Sequence, residues 1–303
     1  MLPRRRFLQF STSAVVSSLA LPLIARAAGR GVGPAPAAGA IEAAMDFAAL
    51  EKACAGRLGV TVLDTASGRR IGHRQDERFP LCSTFKTVLA ATVLDQSRRV
   101  PGLLDRRVPV READLLSHAP VARRHAGKDL TVRDLCRATI ITSDNTAANL
   151  LFDVVGGPPA VTAFLRAQGD SVTRSDRLEP ELNSFAEGDP RDTTTPAAMA
   201  ATLQRLVLGD ALAPAARQQL ADWLIDNETG DACLRAGLGA RWRVGDKTGS
   251  NGEDARNDTA VLWPMGGGAP WVITAYLQAA DISNDQRASV LAQVGRIADR
   301  LIG

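Results

Sequence analysis

Leu58-Gly-Val-Thr-Val-Leu-Asp-Thr65, Ala66-Ser67-Gly68 and Arg69-Arg-Ile-Gly-His73 read as a strand, a tight turn and a second strand. Strand character then fades for most of the chain. It returns late, in Trp242–Lys247, Thr259–Trp263 and Trp271–Gln278, which are rich in β-formers and bounded by Gly and Pro. Between the two groups the period is helical. From Ser83 onward Phe85, Val88, Leu89, Val93 and Leu94 trace one stripe. Val132–Ile141, Asn145–Val155, Pro158–Gln168, Pro196–Leu208 and Pro214–Ile225 continue the helical series. Val290, Leu291, Val294, Ile297 and Leu301 mark a terminal helix, and Asp46–Ala55 a short amphipathic one near the start. Strands at both ends around a helical middle have one economical solution, an α/β fold of the α+β sandwich kind. Both ends join one antiparallel sheet covered by the N- and C-terminal helices, and an all-helical lobe is inserted. The expected boundaries are 42–82 with 225–303 for the α/β lobe and 83–224 for the helical lobe, with a ligand cleft between them.

The first residues belong to a different category. Arg4-Arg5-Arg6-Phe7-Leu8, an apolar run from Ala14 to Ile24 and then Ala25-Arg26-Ala27 describe a cleaved export signal over residues 1–27. The paired arginines resemble the twin-arginine type, which carries folded proteins to the periplasm. Residues 28–41, rich in Gly, Ala and Pro, read as a flexible leader. Removing the four arginines of the signal turns the formal +3 into −1, so the basic pI of about 8.9 says little about the mature chain. No basic stripe with interleaved aromatics suggests nucleic acid. No stretch after residue 27 is apolar for long enough to suggest a membrane span.

Cys54, Cys82, Cys136 and Cys233 have neither zinc-site spacing nor disulfide-scaffold density, and read as four buried thiols. His73, His118 and His125 are too scattered for a metal site, and no glycine-rich phosphate loop follows a strand. The expectation is therefore no metal, no cofactor and, by default, a monomer.

Lysine usage points to chemistry. Of 36 basic residues only four are lysine, at 52, 86, 128 and 247. A guanidinium stays protonated in proteins, whereas an ammonium is tunable. Lys86 lies in Ser83-Thr-Phe-Lys86, one helical turn from the serine and able to take its proton. Lys247 opens Lys247-Thr248-Gly249-Ser250 at the end of a strand, where Gly249 permits close approach of a ligand. The Ser250 and Ser83 amides suit an oxyanion hole. Ser143-Asp144-Asn145 starts a helix, with Ser143 as a proton relay and Asn145 as a substrate contact. Glu179 and Asn183, four apart in Arg177-Leu-Glu-Pro-Glu-Leu-Asn183, can hold a water as general base and amide partner. Each motif alone has a bland reading as a cap, a strand end or a charged loop. Their conjunction supplies what is needed to open an amide through a serine ester and then hydrolyse it.

In these motifs the chain resembles class A serine β-lactamases, and most of all exported chromosomal extended-spectrum cephalosporinases. The resemblance spans about residues 42–303. It is most specific from Arg177 to Pro196, where Arg-x-Glu-Pro-Glu-Leu-Asn and Arg191-Asp192-Thr-Thr match the omega loop, about 176–192. It implies the serine β-lactamase/DD-peptidase-like fold, an Arg177–Asp192 ion pair closing the loop, and a cis Glu179–Pro180 bond. It implies Ser83 as nucleophile, with Lys86 and Glu179 competing as its activating base. Ser143 then protonates the leaving nitrogen, supported by Lys247, and Glu179 with Asn183 drives the deacylating water. Lys247, Thr248, Ser250 and Arg256 receive the substrate carboxylate, Asn145 holds the side-chain amide, and His118 flanks the cleft. The substrates implied are penicillins and cephalosporins, hydrolysed with resistance as the result.

Cys82 precedes the nucleophile as in the carbapenemases and some extended-spectrum enzymes of this family, but Asn251 stands where the carbapenemase disulfide partner would be. Ala90 occupies the partner site of Cys136. Neither bridge is expected, which argues against carbapenem turnover, while Ser250-Asn251-Gly252 suggests room for bulky cephalosporins. Two rivals share three of the motifs: a DD-peptidase, and a β-lactam sensor that stays acylated. Both should lack the Glu179/Asn183 pair.

Overall fold

Residues 38–303 are described by the computed structural model. The expected export signal and residues 28–37 of the leader lie outside them. The helices are α1 (Ala38–Ala53), α2 (Phe85–Ser97), α3 (Val132–Ile141), α4 (Asn145–Val155), α5 (Pro158–Ala167), α6 (Pro196–Leu203), α7 (Pro214–Ile225) and α8 (Asn284–Ile302). The strands are β1 (Arg57–Asp64), β2 (Arg70–His73), β3 (Phe79–Pro80), β4 (Arg107–Val110), β5 (Lys128–Thr131), β6 (Thr193–Thr194), β7 (Trp242–Ser250), β8 (Ala255–Pro264) and β9 (Trp271–Gln278).

The main sheet is antiparallel in the order β2-β1-β9-β8-β7, so the early hairpin and the late strands join as expected and β7 is an edge. Thr61 of β1 pairs with Thr274 of β9, and Lys247 of β7 with Thr259 of β8. Both faces of the sheet are covered. Leu58, Val60, Val62, Ile273 and Leu277 share a core with Phe47 of α1 and with Leu291 and Val294 of α8. Leu63, Val261, Val272 and Tyr276 face the core built on α2. Two apolar faces explain why β1 is buried without interruption from Leu58 to Leu63. Each such side chain taken from water contributes about 1.5–3 kcal/mol, which makes these layers the main source of stability.

Helix α2 is buried on all sides from Phe85 to Asp95, with α3, α4, α5 and α7 packed around it. Helix starts follow local chemistry. Pro158, Pro196 and Pro214 occupy first-turn positions, where the missing N–H has no intrahelical partner to lose. Thr131 and Ser283 cap α3 and α8 in reciprocal capping boxes with Asp134 and Gln286.

Several boundaries differ from expectation. Helix α1 begins at Ala38 rather than Asp46, taking the end of the presumed leader into the fold. Ala40, Ala43, Phe47 and Leu50 are buried, in the core that α1 shares with α8. Strands β7 and β8 extend further, to Ser250 and back to Ala255. The inserted lobe is helical with a β4–β5 ladder added, and the β3–β6 pair ties the end of the omega loop to the chain just before Ser83. Residues 204–208 close α6 as a π turn. The described residues of both expected lobes fall in one compact unit. Among the described residues no single helix is long and apolar enough to cross a membrane.

Candidate active site

Ser83 sits on a 3-10 turn, Cys82–Thr84, that runs directly into α2. Cys82 before it has φ +42°, a left-handed conformation that costs energy for a residue with a Cβ and that clusters at functional sites. One turn on, Lys86 is fully buried and donates to Ser83 Oγ at 2.9 Å. Its Nζ also meets Ser143 O at 2.8 Å, Ser143 Oγ at 3.3 Å and Asn145 Oδ1 at 2.5 Å. Glu179 Oε1 lies 3.2 Å away, a contact of charges without hydrogen-bond alignment. Five oxygens thus surround an ammonium with three hydrogens. Burial pushes the Lys86 ammonium toward the neutral amine, and the Glu179 carboxylate opposes that shift.

Ser143 and Asn145 reach this point because of the residue between them. Asp144, fully buried, caps α4 by accepting from Ala147 N at 2.8 Å. Its other oxygen takes Val121 N at 2.9 Å and Ala122 N at 2.8 Å. Asp144 is therefore structural, and it holds Ser143 at φ +58° with its hydroxyl toward Lys86. His118 stands at the exposed rim, Nε2 3.0 Å from Thr142 O, and its carbonyl accepts Asn145 N at 2.9 Å.

The omega loop closes as expected. Arg177 Nε meets Asp192 Oδ2 at 2.6 Å, and Asp192 Oδ1 accepts the amides of Asp176 and Arg177. The carbonyl of Asp192 accepts Leu81 N at 2.8 Å, linking the loop to the nucleophile's own turn. The Glu179–Pro180 bond is cis. Asn183 Nδ2 donates to Glu179 Oε2 at 2.7 Å. Glu179 Oε1 and Asn183 Oδ1 are both buried acceptors without a hydrogen-bond donor.

Across the cleft, β7 brings Lys247, Thr248, Gly249 and Ser250 alongside. A Cβ at Gly249 would lie 3.0 Å from Leu81 O and 3.1 Å from Ser83 N, so only glycine lets the edge strand come this close to the nucleophile. Lys247 is in the wall rather than on the cleft surface: it is fully buried, with Nζ on Thr248 O at 3.0 Å. Burial, reinforced by the charge of Lys86, pushes its pKa down to about 7.

All twelve candidate residues converge. Ser83, Ser143, Asn145, Asn183, Thr248, Gly249, Ser250, Arg256 and His118 line a cleft of about 510 Å³, with Lys86, Glu179 and Lys247 buried beneath it. A second hollow of about 650 Å³ continues past Asn145, Asn183 and Ser250 toward Pro180 and Asp254. A hollow of about 750 Å³ around Asp95, Arg99 and Phe164 holds no motif residue. Sequence reasoning missed Thr229, whose hydroxyl is 2.5 Å from that of Thr248, and Asn284 at the start of α8. It also missed Asn149, one turn after Asn145 on α4, and the Asp246–Arg235–Asn227 cluster behind Lys247. A carboxylate directly preceding Lys247 inside a strand was the available signal for that cluster.

The fold and this constellation of serine, two lysines and a loop glutamate define a class A serine β-lactamase, and the chain belongs to the β-lactamase enzyme family, whose model matches residues 42–301. It is 82% identical over 303 residues to β-lactamase L2 of Stenotrophomonas maltophilia, covering 100% of both chains. It is 47% identical over 251 residues to β-lactamase CTX-M-25 of Escherichia coli, covering 83% of this chain and 86% of that one. The crystal structure of L2 complexed with relebactam superposes with a TM-score of 0.85 at 88% identity, covering 87% of this chain and 98% of that one. A β-lactamase from Xanthomonas campestris superposes with a TM-score of 0.86 at 54% identity, covering 88% and 99%.

Proposed function

We propose that this β-lactamase opens penicillins and cephalosporins by the following division of labour. Ser83 Oγ attacks the lactam carbonyl while its proton passes to Lys86 in its neutral amine form, toward which burial pushes it, or through water to the Glu179 carboxylate. The developing oxyanion is met by the amides of Ser83 and Ser250. The ring C–N bond breaks as Ser143 protonates the nitrogen, with Lys247 behind it. Glu179 then takes a proton from a water that attacks the ester, and Ser83 is released. A water held here donates to Glu179 Oε1 and Asn183 Oδ1, the two buried acceptors that lack donors. Thr248, Ser250 and Arg256 receive the substrate carboxylate, Asn145 the side-chain amide, and the hollow beside Asn183 the bulk of larger side chains.

The observation that carries this reading is the single buried ammonium of Lys86 touching both Ser83 Oγ at 2.9 Å and Glu179 Oε1 at 3.2 Å. Glu179→Ala should leave acylation open and stop deacylation, lowering kcat by about 10²–10⁴-fold. Intact-mass spectrometry after benzylpenicillin should then show the drug's mass added to the protein. Normal turnover with no adduct would remove Glu179 from its role. A panel of benzylpenicillin, cefotaxime and imipenem tests the range, with efficient imipenem turnover counting against it.

The basic, apolar and small-residue pattern of residues 1–27 supports twin-arginine export to the periplasm, and a monomer is the default assembly. Fractionation of cells expressing Arg4→Lys/Arg5→Lys, and sedimentation of the mature protein, check these two points.

A further inference from the structure

Arg256 enters the cleft with its charge unmatched. Its guanidinium has five N–H donors. Its protein partners are two, both reached by Nη2: the Thr229 carbonyl at 3.4 Å and the Cys233 sulfur at 3.4 Å. Nε is buried and without a partner. Among the described residues Arg256 makes no ion pair, whereas nearby Arg235 pairs with Asp246 at 2.5 Å. Cys233 is fully buried, and burial pushes its thiol up to about 12, with the charge of Asp258 adding to the shift. The sulfur is thus protonated and uncharged at neutral pH. Burial and the neighbouring Asp246 also push the Asp258 carboxyl up, toward its neutral form.

We propose that Cys233 is a positioning residue for substrate recognition: its sulfur tethers the Arg256 guanidinium at the carboxylate end of the cleft without neutralising it. A thiol is a weak acceptor, enough to help fix Nη2 while leaving the charge of the guanidinium for a ligand in the cleft that Arg256 lines. An acid at position 233 would hold the guanidinium more tightly, but it would compete with the incoming carboxylate for the same donors. The inference rests on the reading of Arg256 as the carboxylate receiver, and the experiment separates the two.

Steady-state kinetics of the purified enzyme, Arg256→Ala, Cys233→Ala and Cys233→Ser are compared on a chromogenic cephalosporin and on its methyl ester, which lacks the charge. Arg256→Ala should raise KM for the acid at least about tenfold and for the ester far less. Cys233→Ala should raise KM for the acid about three- to tenfold, the loss of one hydrogen bond, with kcat within about twofold and the ester unaffected. Cys233→Ser, which keeps an uncharged acceptor, should restore KM to near the parent value. An unchanged KM in Cys233→Ala, or an equal rise for acid and ester, overturns the tether while leaving the role of Arg256 standing if Arg256→Ala behaves as expected. An unchanged KM in Arg256→Ala removes the carboxylate reading and the tether with it. Should Cys233→Ala not fold, Cys233→Val, which fills the space without an acceptor, takes its place.

Discussion

Asn149 grips the backbone of Glu179 from both sides. Its Nδ2 donates to the Glu179 carbonyl at 2.8 Å, and its Oδ1 accepts the Glu179 amide at 3.0 Å. The carboxylate assigned to the hydrolytic water is therefore placed by a helix of the lobe wall rather than by the omega loop alone. Loops are mobile unless pinned, and general-base catalysis depends on a position held within a fraction of an ångström.

Asn149→Ala should leave the loop anchored at Arg177–Asp192 but let Glu179 wander. Deacylation should slow by about tenfold or more, with acylation much less affected. Stopped-flow turnover of a cephalosporin should show a burst absent from the parent enzyme, and equal slowing of both phases would argue against this placement.

Asp192 closes the loop through a buried carboxylate that takes two amides and a guanidinium. Asp192→Asn keeps the shape and suits the φ of +52° at this position, but it loses the charge. The cost should be about 1–3 kcal/mol in urea unfolding, because donors remain buried with a weaker acceptor. A loss confined to activity, with stability intact, would show the loop closing by other means.

Gly249 should tolerate no side chain. Gly249→Ala brings a Cβ to 3.0–3.1 Å from Leu81 O, Cys82 Cβ and Ser83 N, and none of these is the free end of a flexible chain. Either the edge strand or the nucleophile's turn must shift. A displacement of a few tenths of an ångström there should lower kcat/KM by about tenfold or more with little change in melting temperature. Full activity in the variant would mean that the strand yields without cost.

Lys247 makes stability depend on pH. Its folded pKa of about 7 lies below the ordinary 10.5, so between these values the unfolded chain binds more protons than the folded one. Stability attributable to this group therefore rises with pH across that window, and the buried charge costs most below pH 7. Lys247→Met should be more stable than the parent at pH 6, by on the order of a few kcal/mol, and should lose that advantage toward pH 10 while being inactive. Thermal melts across that range check it; a difference independent of pH would show that Lys247 keeps an ordinary pKa and stays charged in the fold.

Local chemistry was readable wherever a short stretch carried its own instruction. Pro158, Pro196 and Pro214 mark helix starts because a first-turn residue needs no N–H, and α3, α4 and α7 begin and end where their residues say. Ser83 and Lys86 share a face because three residues make nearly one turn. The start of α1 was not readable, because Ala38 to Ala40 have no strong periodic signal and are recruited by packing in the core shared with α8. Nor were the ends of β7 and β8. Thr248 to Ser250 and Arg256 to Asp258 look like loop because they are polar, and they are polar because they line or support the site. Long-range closure settled that both motif lysines are sealed beneath the cleft, how α4 holds Glu179, and that a thiol sits beside Arg256. Burial and electrostatic fields are sums over neighbours far apart in the chain, so no window of residues contains them.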